Sequence, residues 1–354
     1  MSGFLHRHDA VDSLPGTWDS LASAAWQQRW FLAHAHATNP CAQRYYTWNE
    51  GGACVAGAIV YELPIDLLTY FPVKLPFALA PRLRVCGVPA SVSCSGLLGA
   101  PDRAGRLLAA LGTVEAGLFV ALNLDPSLPV PATFSSGPTL PTVAMELPWR
   151  TLEQYEAALR ADYRRRFRKI RARFADCRLE TTSCDAYTPE HHSQYLAVLA
   201  KSEARLETLP EAFFRALPAD AFELTTIRRD GRMLGWIVLL VRDGRSVFFM
   251  GGMPEDQDRE PELYFFLTTC VLERALVRGV GHLDLGQTAE IPKLRLGGRL
   301  GPRLMAVHHP HATVRLLLAA AAPLLTYHRP VDDHHVFTAP APESSDRERP
   351  GAPS

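Results

Sequence analysis

Glu203 and Glu207 stand four residues apart in KSEARLETLPEAFF, a spacing that places two carboxylates on one face of a helix. Such a pair can hold a cationic amine or accept its proton, directly or through water. Ion pairing with Lys201 and Arg205 is the competing use of the same groups. Asp284 and Gln287 close the short apolar run HLDLG, and the end of a buried strand is where sheets with flanking helices gather their sites. Asp284 would serve equally well capping a loop. Lys293 and Arg295 precede Gly297 and Gly298, which would let a backbone or an anion approach closely. Their alternative is an exposed loop.

The densest charge lies at 151–174. Leu152, Tyr155, Leu159, Tyr163, Phe167, Ile170 and Phe174 recur every three or four residues, which predicts one amphipathic helix with a continuous apolar stripe. Arg160, Arg164, Arg165, Arg166, Arg168, Lys169, Arg171 and Arg173 fill the other surface, and across 160–173 they stand against Asp162 alone. Seven net positive charges repel one another unless an anion offsets them. Arginine forks suit phosphate oxygens, so Arg164, Arg165 and Arg168 are candidate contacts to a phosphate-bearing ligand. A solvated helix face is the plainer alternative.

These residues need elements to position them. Between 222 and 252, Asp230-Gly231 and Asp243-Gly244 separate three β-rich runs; Asp-Gly favours the tight turns that need positive φ at both central positions, so a three-stranded meander is expected. A helix from Glu262 to about Arg278 follows, with Leu263, Phe266, Leu267, Cys270 and Val271 at helical spacing, and Tyr264 in its first turn is a further candidate donor contact. A strand at 282–286 completes the order strand, strand, strand, helix, strand. The first half repeats that order more faintly: strands at 43–49, 53–61 and 83–92, a helix at 101–117 and a β-rich run at 118–124. Five prolines between 125 and 141 rule out a helix there and mark a connector. The division expected is an N-terminal unit at 1–147, a C-terminal unit at 148–330 and a disordered tail at 338–354, rich in Pro, Ser, Arg and Glu.

Composition narrows the functions. The chain has 354 residues, with 37 basic and 37 acidic side chains, so no global field draws it to nucleic acid or to a membrane. Seven cysteines without a C-x-x-C pair fit reduced thiols of a cytoplasmic protein. The polar N-terminus has no signal-peptide core, and the apolar stretch at 316–325 is too short to span a bilayer. The histidine clusters at 34/36, 191/192, 308/309/311 and 334/335 lack zinc-protease spacing, so no metal is expected. No P-loop, G-x-G-x-x-G or G-x-S-x-G motif is present.

The segments YRRRFRKIRARF, KSEARLETLPEAFFRAL, the meander, the following helix and HLDLGQTAEIPKLRLGGRL together resemble the C-terminal half of Fem-type peptidoglycan aminoacyl transferases and their acyl-CoA-using relatives in the GNAT superfamily. The resemblance covers about 155 residues, 151–305. It implies an α/β (α+β) fold of tandem GNAT-like domains, each a mostly antiparallel sheet flanked by helices. It also implies transfer of an acyl or aminoacyl group from acyl-CoA or aminoacyl-tRNA to an amine, with no tightly bound cofactor. Lys293 falls on the family's lysine after the last strand, and 202–214 matches a stretch lining the substrate cleft. Where many members carry a glycine loop whose N–H groups hold a diphosphate, this chain reads MPEDQDREPEL. Phosphate contacts are then expected from the basic helix and Lys293. An N-acyltransferase using acyl-CoA heads the expectations, an aminoacyl-tRNA-dependent transferase comes second, and a non-catalytic RNA- or partner-binding protein on the same fold comes third.

Overall fold

The computed structural model describes residues 3–64, 82–202, 206–256, 262–325, 327 and 334–338. The first half builds β1 (Phe4–His8), α1 (Trp18–Leu21), α2 (Arg29–Thr38), β2 (Ala42–Glu50), β3 (Ala53–Pro64), β4 (Arg82–Cys86), β5 (Leu97–Gly99), α3 (Pro101–Val114) and β6 (Phe119–Leu124). A long strand, β7 (Ser135–Glu146), leads into α4 (Leu152–Ala158), α5 (Ala161–Arg173), β8 (Arg178–Thr182), α6 (Pro189–Lys201) and α7 (Glu211–Arg215). The meander is β9 (Phe222–Arg229), β10 (Arg232–Arg242) and β11 (Arg245–Gly252). After it come α8 (Leu263–Val277), β12 (His282–Asp284), α9 (Glu290–Arg295), β13 (Arg299–His308) and α10 (Ala312–Leu325).

Both Asp-Gly turns form as the sequence requires. Asp230 and Gly231 take φ of 50° and 78°, and Asp243 and Gly244 take 51° and 69°, so Arg229 pairs with Arg232 and Arg242 with Arg245. The element order expected twice is present twice. In the first half β4 and β6 run parallel, joined by α3; in the second β11 and β12 run parallel, joined by α8. This is a tandem GNAT-like arrangement, a mostly antiparallel sheet flanked by helices.

The repeats do not hold separate sheets. Among the described residues one sheet runs β1-β2-β3-β4-β6-β13-β7-β12-β11-β10-β9-β8, with β5 beside β3. The late strand β13 pairs with β6 of the first half, while the middle strand β7 pairs with β12 of the second. β7 and β13 then pair with each other. Each repeat therefore completes the other's sheet.

Three expectations need correction. The 125–141 segment is not merely a connector, because its second part enters β7 despite Pro138 and Pro141. Between Ser135 and Thr142 the strand has β13 on one side only, since β12 pairs just with Ala144–Glu146. A proline can stand where its missing N–H has no ladder partner. The β7/β13 register also shifts between Gly301 and Arg303, leaving Leu140 and Pro141 in an irregular stretch.

The basic helix is two helices. Arg160 is extended (ψ 153°), its N–H donates to Val336 O at 2.9 Å, and Thr338 N donates to Ala158 O at 3.0 Å. The segment 334–338 thus docks across the break, and Phe337 reaches Gly297, where any side chain would meet its ring at 2.3 Å. The apolar stripe survives the break: Tyr155, Phe167, Ile170 and Phe174 are buried against α8, and Phe174 stacks on Phe266 at 4.5 Å. Finally, 206–210 lies between helices rather than on one, so Glu207 does not share a helical face with Glu203; Glu203 itself lies outside the described residues, as does most of the tail.

Beneath β2, a buried ion cluster ties the first repeat together. Arg44 donates to both Glu115 oxygens and to Glu62 at 2.9 Å, and Tyr46 OH donates to Glu115 Oε1 at 2.7 Å. Removing Glu115 leaves Arg44 with Glu62 alone and the Tyr46 hydroxyl without its acceptor. Glu115→Ala should therefore cost about 1.5–3 kcal/mol, measured by urea unfolding followed by tryptophan fluorescence; a loss below about 1 kcal/mol would contradict this role.

Candidate active site

Beyond Val247 and Asp284 the parallel strands of the second repeat stop pairing. The chain at Leu285 and Gly286 turns to β7 instead, with Leu285 N donating to Val143 O at 2.8 Å and Val143 N to Gly286 O at 3.0 Å. Strand β11 continues to Gly252, and among the described strands none pairs with it on that side past Val247. This leaves a V-shaped gap with Asp284 at its apex. In the first repeat the strand corresponding to β11 is itself interrupted: after β4 ends at Cys86, Gly87 bridges Ser95 and β5 takes over the edge of β3 at Ala56–Ala58.

The chain between Val88 and Ser95, which interrupts that strand, reaches the second repeat. Ser91 N donates to Glu207 Oε1 at 2.6 Å, and Ser93 Oγ donates to Asp284 Oδ2 at 3.2 Å. One loop of the first repeat thus holds two acids of the second. Ser91 sits at φ 52°, a conformation with a steric cost for a residue bearing Cβ, and the bond to Glu207 helps to offset it.

Asp284 is half-buried and fully engaged. Its Oδ1 accepts from Thr142 Oγ1 at 3.0 Å and from Gly286 N at 2.7 Å, while Oδ2 takes Ser93. Next to it the turn 286–289 is tightly wound, with Gly286, Thr288 and Ala289 all at positive φ. Lys293, 2% exposed, points inward from α9 and donates to Gln287 O at 2.7 Å. Burial pulls its ammonium down to about 8, opposed by the charges of Asp284 and Glu290. Lys293 and Arg295 stand on a helix, not on a loop. The Gln287 side chain donates to Asn123 Oδ1 at 2.9 Å and to Leu140 O. Tyr264, in the first turn of α8, is half-buried, and its hydroxyl is held protonated by burial and by the Glu290 charge.

Glu207 is 7% exposed. Burial pushes its carboxyl up to about 7, against the hydrogen bonds from Ser91. Its Oε2 is buried without a hydrogen bond among the described residues. Burial and then the Glu207 charge raise the nearby Tyr61 and Cys41, and Glu207 adds to burial at Tyr195.

The arginines meet carboxylates of their own chain. Arg165 pairs with Asp162 at 3.0 Å, Arg168 with Glu156, Arg171 with Glu273 at 3.9 Å and Arg173 with Glu262 at 3.6 Å. Arg164 turns back onto Leu159 O at 2.7 Å, where α4 ends, and Arg166 lies over the Phe265 ring at 5.3 Å. Asp162 is the one acid within 160–173 and Glu156 shortly precedes it; Glu262 and Glu273 arrive through the fold.

The structure therefore gathers Asp284, Gln287 and Lys293 into one cluster. It joins Glu207 to them only through the 88–95 loop and leaves the α5 arginines outside. Sequence reasoning missed Ser91, Ser93, Asn123 and Thr142, which come from the other repeat and the proline-rich stretch and carry no motif. Among the described residues no group of three metal-ligating side chains forms, and no helix is long and apolar enough to cross a membrane.

Residues 157–294 match the family model described as an acetyltransferase (GNAT) domain, so the chain carries an acyltransferase domain of this type over that span. Its fold is shared with FemX, at 11% identity over 90% of this chain and 100% of that chain, with a TM-score of 0.54. A tandem GNAT protein from the clavulanic acid biosynthesis pathway is similar at 12% identity over 86% of this chain and 98% of that one, TM-score 0.48. The C-terminal domain of a putative lysylphosphatidylglycerol synthetase from Agrobacterium fabrum is similar at 15% identity over 75% and 85% of the two chains, TM-score 0.48. No curated protein sequence matches the chain.

The raised Glu207 carboxyl makes a signed prediction. An acid whose folded pKa lies above its unfolded value contributes stability at low pH that is lost as pH rises through the folded pKa. Glu207→Gln should therefore gain on the native chain by about 2–3 kcal/mol between pH 5 and pH 8, read from paired urea melts. A constant difference across that range would refute it.

Proposed function

We propose that this protein is an N-acyltransferase that takes its acyl group from acyl-CoA, binding the donor in the gap between β11 and β12. One observation carries the proposal: past Val247 strand β11 has no neighbour on its β12 side among the described strands, and Asp284, followed by the turn that carries Gln287, stands at the apex of that gap. Asp284, held ready by Thr142, Ser93 and Gly286, receives the acceptor ammonium and takes its proton. The neutral nitrogen attacks the thioester carbonyl carbon, the C–S bond breaks, and the surplus proton on nitrogen passes to the departing CoA thiolate. Backbone N–H groups of 248–252 on the open edge are available to polarise the carbonyl. Lys293 fixes the turn that carries Gln287. In this reading Glu207 clasps the repeats together, Tyr264 and Arg295 border the donor, and the first repeat supplies support rather than a second donor site.

The partial neutralisation of α5 favours a compact donor. The eight basic side chains of 160–173 face four carboxylates, Glu156, Asp162, Glu262 and Glu273, which weakens the field a long polyanion would need. The competing donor is aminoacyl-tRNA, supported by the acidic, glycine-poor sequence MPEDQDREPEL where a diphosphate loop would stand.

The test is thiol release with a panel of acyl-CoAs and amines, read beside thermal shift. Turnover is expected, and Asp284→Asn should lower kcat by about a hundredfold or more with the melting temperature little changed. Absence of both thiol release and thermal shift would sink the acyl-CoA reading. Co-purified RNA whose binding weakens steeply with salt would replace it with the tRNA-dependent one.

A further inference from the structure

Gln287 has a side chain with two donors and one acceptor oxygen, and the structure spends both donors internally. Nε2 donates to Asn123 Oδ1 at 2.9 Å and to the carbonyl oxygen of Leu140. Asn123 in turn is locked, because its Nδ2 donates to the carbonyl oxygen of Val92 at 2.9 Å. Backbone carbonyls accept only, so they fix which end of each amide is oxygen and which is nitrogen. Asn123 stands at φ 57°, opposite a register shift between Leu304 and Ala306 of β13. Asn is among the residues that tolerate this conformation. The Gln287 backbone is pinned as well, by Lys293. Among the described residues nothing donates to Gln287 Oε1.

From this arrangement we infer that Asn123 is a positioning residue that makes Gln287 an obligate acceptor, so that the subsite beside Asp284 takes a ligand through its N–H hydrogens. The inference rests on the N-acyltransferase reading and narrows it: the acceptor enters as a primary ammonium or amine, recognised by hydrogen bonds and not by charge alone. A carboxylate or phosphate meets only oxygens there. The residue responsible belongs to the first repeat, which gives that repeat a part in specificity.

Two measurements test this. In the first, butylammonium and butyltrimethylammonium compete with the best amine acceptor of the panel, or are compared by thermal shift when no amine is turned over. They carry equal charge, but only butylammonium has N–H donors. The native protein should bind butylammonium about tenfold more tightly. In the second, Asn123→Gly keeps the left-handed backbone and deletes the amide. It should raise the acceptor KM about tenfold, leave the acyl-CoA KM within about twofold, and abolish the discrimination between the two ions. If Asn123→Gly does not fold, Gln287→Met, which lacks the accepting oxygen, should show the same loss. Equal binding of the two ions by the native protein overturns the inference, as does a variant whose acceptor KM stays unchanged or whose two KM values rise together. Lack of turnover with any amine would defeat the acyl-transfer reading alone, since the ion comparison still reports on the subsite.

Discussion

The antiparallel pairing of β7 with β13 is the constraint on which the rest of this molecule depends. A strand drawn from the middle of the chain and one drawn from its end lie side by side, each also completing the other repeat's sheet. Sheet edges carry unsatisfied backbone groups, and this exchange leaves neither repeat with a free edge at the junction. It also fixes the distance between the repeats. Asn123 and Ser93 can reach Gln287 and Asp284 only because β6, β13, β7 and β12 are consecutive neighbours.

That junction concentrates polar side chains where an uninterrupted apolar core would otherwise continue. Asp284, Lys293 and Gln287 are each tied to backbone or to side chains of another segment, which is how buried polar groups are kept without large loss of stability. Glu207 is the exception, with an oxygen left bare and a carboxyl pushed up to about 7. A neutral acid suits that environment, since desolvating the ionised form without a counter-charge is costly.

The two repeats share a plan but differ in the strand that precedes the connecting helix. In the first, the chain leaving β4 folds back at Gly87 and Gly96, which approach so closely that a Cβ on Gly96 would lie 2.3 Å from Gly87 N. In the second, the corresponding strand β11 stays on β10 through to Gly252, and the chain leaving β12 winds through the positive-φ turn 286–289 toward β7 and α9.

The sequence by itself determined the local elements with strong periodic or turn signals: the meander with its two Asp-Gly turns, helix α8, the apolar stripe of 152–174 and the repeated order of strands and helices. These rest on contacts between near neighbours along the chain, and such contacts are written in spacing. The sequence also marked Asp284, Gln287 and Lys293, because a strand end followed by a glycine-bearing turn is a local pattern. Only the tertiary structure decided the exchange of β7 and β13, the break at Arg160 under Val336, and the carboxylates that meet the α5 arginines. It also decided that Ser91, Ser93 and Asn123 of one repeat would hold Glu207, Asp284 and Gln287 of the other. Those contacts join residues more than a hundred positions apart, with no periodicity to announce them, and they exist because burying both repeats on one continuous sheet brings the segments together.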